Sequence, residues 1–286
     1  MKKLFALLLV LALTLVGCGA NPPAGPAPDS APDSSTPSSG SSGPEAGDGQ
    51  WTPVTPGKLT VGTSADYAPF EWHALLDGQD TVVGFDMALA KAIADDLGLE
   101  LEIVDMAFEN VLTELKLDKI DLAIAGIVPN DERRQSLDFS DSYYSGYKCL
   151  MIRTADKDKY TSIQSLAGLP VGAQTNTIEE TLVKSQMPQS QLVSLQNNQN
   201  LVMEVKMGTV EAICIESTVA GGYVLKNPDL MIAMEIPGGT SMNAAAVNKG
   251  NTQLLEAANA TIAKVLQSGQ MDQFVQDALA LAAAEE

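Results

Sequence analysis

The sequence predicts an α/β protein built from two related units that share a cleft. Two internal echoes carry that prediction. LTVGTSADY (59–67) and LPVGAQTNT (169–177) each run from apolar residues through a glycine into small polar residues. ELKLDKIDLAIA (114–125) and EVKMGTVEAICI (204–215) repeat a second pattern: the tail of an amphipathic helix, a turn, an acidic residue, then an apolar strand. The echoes come in the same order, and self-similarity at long spacing signals related units. A third observation is the alternation of strand and helix along the chain. It points to mainly parallel sheets covered on both faces.

In the first unit, residues 59–62 read as a buried strand. Residues 70–72 and 82–85 flank the turn signal DGQD and read as a hairpin-like excursion. Residues 86–97 form a helix, because Phe85, Leu89, Ile93 and Leu97 recur every four residues and Gly98 follows. Asp86 reads as its N-cap. A strand at 100–105, a helix at 109–117 and a strand at 121–127 complete the run. The pattern restarts after Tyr147: strand 148–152, short helix 162–166, strand 169–172 and helix 178–185. Glu179 and Glu180 open that last helix, where its dipole favours negative charge. Strand 192–195, helix 200–207, strand 212–215 and helix 218–225 follow. Strands at 231–235 and 244–247 precede helices at 252–267 and 271–284.

Of the 286 residues, the first 57 read as export and tether. Residues 1–18, MKKLFALLLVLALTLVGC, combine a basic start with an apolar run at 4–16. That is a secretory signal peptide, too short in its apolar part for a membrane span. Its end, LVGC, resembles the bacterial lipobox. The resemblance implies cleavage before Cys18, lipidation of its sulfur and a lipoprotein held by acyl chains (palmitate among them), each buried methylene contributing about 0.8 kcal/mol. Residues 19–57 are Pro, Ser, Gly and Ala with few large apolar groups, the composition of a disordered tether. Such a coil spans about 35 Å on average.

Residues 58–286 suffice for two small domains. The formal charge is −19 with no basic block, which argues against nucleic acid and against electrostatic binding to anionic lipid. Cys149 and Cys214 sit in apolar runs and read as small buried hydrophobes, with a disulfide left open. His73 is the single histidine, so no His-based metal site or catalytic triad is expected, and no cofactor.

Four segments carry a family resemblance: GTSADYAPFEW (62–72), VGFDMALAKAIADDLG (83–98), IDLAIAGIVPNDERRQSLDFSDSYY (120–144) and LAGLPVGAQTNT (166–177). They resemble the polar amino-acid-binding proteins of ABC importers, the family 3 extracellular solute-binding proteins. The resemblance implies two doubly wound α/β lobes joined by two crossover strands near 146–150 and 241–245, the periplasmic-binding-protein type II fold. One lobe would be discontinuous, 58–145 and 246–286; the other would be 146–245. Ligand would bind between them, at the carboxyl ends of the strands. The implied function is capture of a free polar amino acid by a monomer on the extracytoplasmic face of a Gram-positive cell membrane, and delivery to a permease. The alternatives are a sensory lipoprotein, or a dehydratase-like enzyme on the same fold. No activated nucleophile and no histidine acid/base pair favours the enzyme.

The resemblance also implies a site. Arg133 would grip the ligand carboxylate with its guanidinium fork, while Arg134 faces solvent. Glu216 stands where the family usually carries Asp, the partner of the ligand ammonium. Ala125, Gly126, Ile127 and Val128 match the segment whose backbone touches ligand. Gln174, Thr177 and Ile178 match the stretch that caps the carboxylate at a helix N-terminus. Tyr67 and Phe108 would be aromatic walls. Ser64 stands where some cation-selective relatives have Asp, which disfavours lysine or arginine; the nearby Asp66 and Glu109 pull the other way. DFSD (138–141) would shape the lobe.

Overall fold

A computed structural model describes residues 51–284; the signal peptide, Cys18 and the tether up to residue 50 lie outside the described residues. The chain forms β1 (Lys58–Thr63), β2 (Asp66–Tyr67), β3 (Glu71–Leu76), β4 (Gln79–Val83), α1 (Phe85–Asp96), β5 (Glu100–Asp105), α2 (Phe108–Lys116), β6 (Leu122–Ala123), α3 (Asp131–Ser136) and β7 (Leu137–Phe139). It continues with β8 (Tyr144–Arg153), two short 3-10 turns, β9 (Pro170–Gln174), α4 (Ile178–Gln186), β10 (Gln191–Leu195), α5 (Asn198–Met207), β11 (Ala212–Glu216) and α6 (Ser217–Lys226). The last elements are β12 (Leu230–Asn243), β13 (Ala246–Asn248), α7 (Thr252–Gln267) and α8 (Gln270–Ala284).

Two five-stranded mixed sheets result, one per lobe. The first has the order β5-β1-β6-β13-β7 and the second β10-β9-β11-β8-β12. Within them, β1 runs parallel to β5 and β6, and β9 runs parallel to β10 and β11. The echoed segments are therefore equivalent strands, β1 and β9, each ending at the same kind of edge. The long strands β8 and β12 pair antiparallel, with Gly146 opposite Ser241.

Helices form where apolar spacing supplies a buried face. In α1, Phe85, Leu89, Ala90, Ile93 and Ala94 are buried, and Gly98 turns the chain away at φ +68°. In α7, Leu254, Ala258, Thr261, Ile262 and Val265 make the same stripe. Side chains alternate across the second sheet: Cys149, Met151, Ile213 and Ile215 face one apolar cluster, Leu150, Ile152, Ala212 and Cys214 another. The two cysteines are free, buried thiols on opposite faces, so the open question of a disulfide resolves against one.

Four sequence expectations change. Residues 51–57, placed in the tether, belong to the folded body. The Val54 amide donates to Asp121 Oδ1 at 2.8 Å and the Thr55 hydroxyl to Glu102. The strand expected at 121–127 shrinks to Leu122–Ala123, because Gly126 turns the chain at φ +56°. The helix α3 and strand β7 carried no signal: α3 buries no residue and so shows no apolar period. Asp86 is not an N-cap. It lies inside the first turn of α1, fully buried, and its Oδ2 accepts from the Gly126 amide and the Tyr143 hydroxyl, both at 2.8 Å.

Gly84 makes that arrangement possible. Its φ of +126° sets α1 against the preceding hairpin, where the Asp86 amide donates to the Phe70 carbonyl at 3.0 Å. A Cβ at position 84 would lie 2.0 Å from that carbonyl oxygen. Gly84→Ala is therefore expected to destabilise the fold by at least about 2 kcal/mol, from backbone strain plus overpacking. Urea denaturation checks this; a shift under about 0.5 kcal/mol would contradict the argument.

Candidate functional site

The facing ends of β1, β9 and β11 enclose a polar cleft. From the first lobe come Ser64, Asp66, Tyr67, Phe108, Ala125, Gly126, Val128 and Arg133; from the second come Gln174, Thr177 and Ile178. Ten of the twelve ligand-binding residues expected from sequence thus meet in one place. Asp66, named only as a nearby acid, joins them.

The loop after β1 turns its polar residues inward. Asp66 is buried, and burial raises its carboxyl above the ordinary value. Partners from the opposite lobe hold it: the Asn198 amide at 2.8 Å and Gln174 Nε2 at 3.3 Å. The Tyr67 hydroxyl donates across the cleft to Glu179 Oε1 at 3.1 Å. Tyr67 also backs the loop at 125–128. A Cβ on Gly126 would approach its ring to 3.1 Å, so a glycine lets the backbone lie flat on the aromatic face.

Arg133 sits in the short helix α3. Its amide is capped by Asn130 Oδ1 at 2.7 Å, which fixes where the side chain starts. Nη1 donates to the Val128 carbonyl at 2.8 Å and Nη2 to the Asn176 carbonyl of the other lobe at 3.0 Å. The guanidinium carbon lies 5.6 Å from the Phe108 ring centre. A guanidinium has five N–H groups, so donors remain for a carboxylate. Burial lowers its pKa, with Glu179 and Glu132 opposing. Arg134 is exposed and stacks on Phe139 instead, 5.4 Å from that ring centre.

In the second lobe Asn176 adopts φ +63°, a conformation in which glycine is ordinarily favoured. Thr177 then caps α4, accepting from the Glu180 amide at 3.2 Å. This places Thr177 and Ile178 on the cleft wall, as expected.

Two of the expected residues lie outside the cleft lining. Glu216 is fully buried but lies outside the cleft lining. Its Oε2 accepts from the Thr218 and Val219 amides at 2.6 and 3.2 Å, capping α6, and Oε1 accepts from the Ser217 hydroxyl at 2.8 Å. Gly146 on β8 leaves room for it: a Cβ there would come 2.2 Å from Oε1. Three donors and a helix terminus hold Glu216 at the crossover rather than in the cleft. Ile127 also turns away. It is fully buried in the apolar cluster around Val111, and its carbonyl accepts from the Ala244 amide at 2.9 Å.

Sequence reasoning missed Glu71, Lys148, Glu179, Asn198 and Cys214, all of which line the cleft. Lys148 and Glu179 pair at 2.7 Å, with side chains 2% and 9% exposed. Burial alone would raise the Glu179 carboxyl, but Lys148 and Tyr67 outweigh it and hold the group below its ordinary value. Glu179 had been read as a helix-dipole partner. The readable signal was Lys148, a single charge inside the apolar run YKCLMI. The cleft therefore holds cations at Arg133 and Lys148 and carboxyl groups at Asp66, Glu71 and Glu179.

Comparison with known proteins agrees with this two-lobed fold. The model of the bacterial extracellular solute-binding proteins, family 3, matches residues 59–279. The arginine-binding extracellular protein ArtP of Bacillus subtilis is 35% identical over 219 residues, 75% of this chain and 83% of ArtP. A probable histidine-binding protein of Campylobacter jejuni is 29% identical, over 76% of this chain and 83% of its own. Among solved structures, the amino acid ABC transporter substrate-binding protein AbpA of Streptococcus pneumoniae, bound to L-arginine, superposes with a TM-score of 0.78 at 41% identity. That match covers 80% of this chain and 97% of AbpA. A two-lobed fold, a polar cleft between the lobes and a family match along nearly all of the folded residues give one result: the chain belongs to the family 3 bacterial extracellular solute-binding proteins.

Proposed function

We propose that this protein captures one free amino acid with a cationic side chain, arginine first, by closing its lobes, and delivers it to the permease of an ABC transporter. The observation that carries the side-chain preference is the cleft's charge inventory. Lys148 neutralises Glu179, which leaves Asp66 and Glu71 as the other carboxyl groups in the cleft that Arg133 lines. A zwitterion needs one cation for its carboxylate and one anion for its ammonium, since desolvating either alone is costly. Arg133 supplies the first. Two carboxyl groups remain, one more than a neutral side chain requires. The arginine-binding relatives support the same choice, and Ser64 is outweighed by Asp66 beside it. In this reading the moving bodies are residues 58–145 with 246–286, and residues 146–245. The protein works as a monomer, tethered through lipidated Cys18 to the outer face of a Gram-positive cell membrane, and performs no turnover.

Thermal-shift screening against the twenty amino acids tests the ligand. Arginine at 100 times its dissociation constant is expected to add about 2.7 kcal/mol of apparent stability. No response to any amino acid, or consumption of a small carboxylic acid, would refute the proposal.

Arg133→Ala is expected to weaken arginine binding by about 3–5 kcal/mol, since it leaves a buried ligand carboxylate unpaired. That is roughly a hundred- to several-thousand-fold. Arg134→Ala, exposed on the far side, should cost less than about 1 kcal/mol. Calorimetric titration of both variants decides it, and equal small losses would place the carboxylate site elsewhere.

Cys18→Ser should release the protein from the membrane fraction with ligand affinity intact. A variant that still sediments with membranes would remove the lipid anchor from the account.

A further inference from the structure

Two buried carboxyl groups interact in the cleft wall. Glu71, on β3, is 1% exposed and lines the cleft; Asp86, in the first turn of α1, is completely buried. Burial raises both carboxyl groups, and Asp86 raises that of Glu71 further. The backbone holds them together, through the Phe85 amide on the Pro69 carbonyl at 3.1 Å and the Asp86 amide on Phe70 at 3.0 Å. Asp86 Oδ2 has its two donors, Gly126 and Tyr143. Asp86 Oδ1 and Glu71 Oε2 have no hydrogen-bond partner among the described residues.

Two ionised carboxylates this close, out of water, repel strongly, and one of them stays protonated. A single proton also removes the orphaned atoms, because it turns one acceptor into a donor for the other. The surroundings say which group carries it. Burial, then Asp86, then Asp66 on β2 and Asp105 on β5 push the Glu71 carboxyl well above its ordinary range. Burial pushes Asp86 less far, to about 6, because Gly126 and Tyr143 donate to it. Tyr67 on β2 and Tyr143 before β8 face the same acids as neutral phenols, both raised first by burial. Of the cleft cations, Lys148 is engaged with Glu179, and Arg133 with the Val128 and Asn176 carbonyls.

We propose that Glu71 holds a proton shared with Asp86 in the free protein and releases it to solvent when a ligand cation enters the cleft. Capture of a cationic amino acid is then coupled to proton release, a step that rests on the cationic-ligand reading above. The Glu71 O–H bond breaks and its proton goes to buffer. The ligand, still cationic, donates its own N–H to the freed carboxylate. The sign follows: Glu71 is ionised in the complex and protonated without ligand, so affinity for arginine rises with pH, by at most about tenfold per pH unit for one linked proton. A neutral amino acid leaves the proton in place and shows no such slope.

Two measurements test this. Calorimetry of L-arginine binding at neutral pH, in phosphate and in Tris, reads the protons released from the difference in heat. Wild type should release about one proton per arginine. Glu71→Gln has the shape of the protonated acid, and should release none and bind arginine at least about tenfold more weakly. Separately, a carbon-13 carboxyl NMR titration of the ligand-free protein should show one glutamate resonance, absent from Glu71→Gln, titrating above the ordinary carboxylate range. Arginine binding without buffer dependence, or a Glu71 resonance in the ordinary range, overturns the proposal. A shifted resonance with no arginine heat overturns the cationic-ligand reading and the coupling with it, and leaves the shared proton standing.

Discussion

The structure of the site depends on one buried carboxylate. Asp86 Oδ2 receives the Gly126 amide and the Tyr143 hydroxyl, and so ties helix α1 to the loop at 125–128 and to the start of β8. Asn243 Nδ2 holds the same residue from the other side, donating to the Gly126 carbonyl at 2.6 Å, while Tyr67 packs against the left-handed turn. The tie requires α1 to start hard against the preceding hairpin, which is why a glycine must occupy position 84. A charged group in this place is costly to bury, and hydrogen bonds from two fixed donors offset the cost. The dipeptide pattern GF followed by Asp therefore reads as a geometric device rather than a helix cap.

The lobes meet through polar ties, not through a packed apolar seam in the cleft. Asp66 takes the Asn198 amide, Tyr67 reaches Glu179, Arg133 reaches the Asn176 carbonyl, and Gln196 donates to Glu109. Each such bond contributes about 0.5–1.5 kcal/mol net, because water replaces it when the lobes part. A few of them hold the lobes together without locking them. Several of the groups that make these ties, Asp66, Tyr67, Glu179 and Arg133 among them, line the cleft itself.

Much of this was legible in the sequence, for physical reasons. Helices α1 and α7 were readable because Phe85, Leu89 and Ile93, or Leu254, Ala258 and Ile262, repeat at the period of a buried face. Most of the cleft came from the family resemblance, which named Arg133, Tyr67 and Gln174, and all three line it. What failed was the use made of a charge. Glu216 and Glu179 exchanged expected roles: Glu216 caps a helix, and Glu179 lines the cleft beside Lys148. A sequence shows that an acid begins a helix, but not whether its carboxylate turns back to the amides or outward to a lysine about thirty residues away on another strand. Helix α3 was invisible because it buries nothing, yet it positions Arg133.

The placement of Cys149 and Cys214 has a practical side. Both thiols are buried, and burial pushes Cys149 up to about 12 and Cys214 well above its ordinary value. Thiols held protonated and out of solvent react slowly with alkylating reagents. The folded body from Trp51 onward therefore offers a silent background for thiol chemistry. A single cysteine placed on the exposed hairpin at Leu75, with a dye attached, would report lobe movement without removal of either native thiol. The fold is already suited to a reagentless optical sensor for its own ligand.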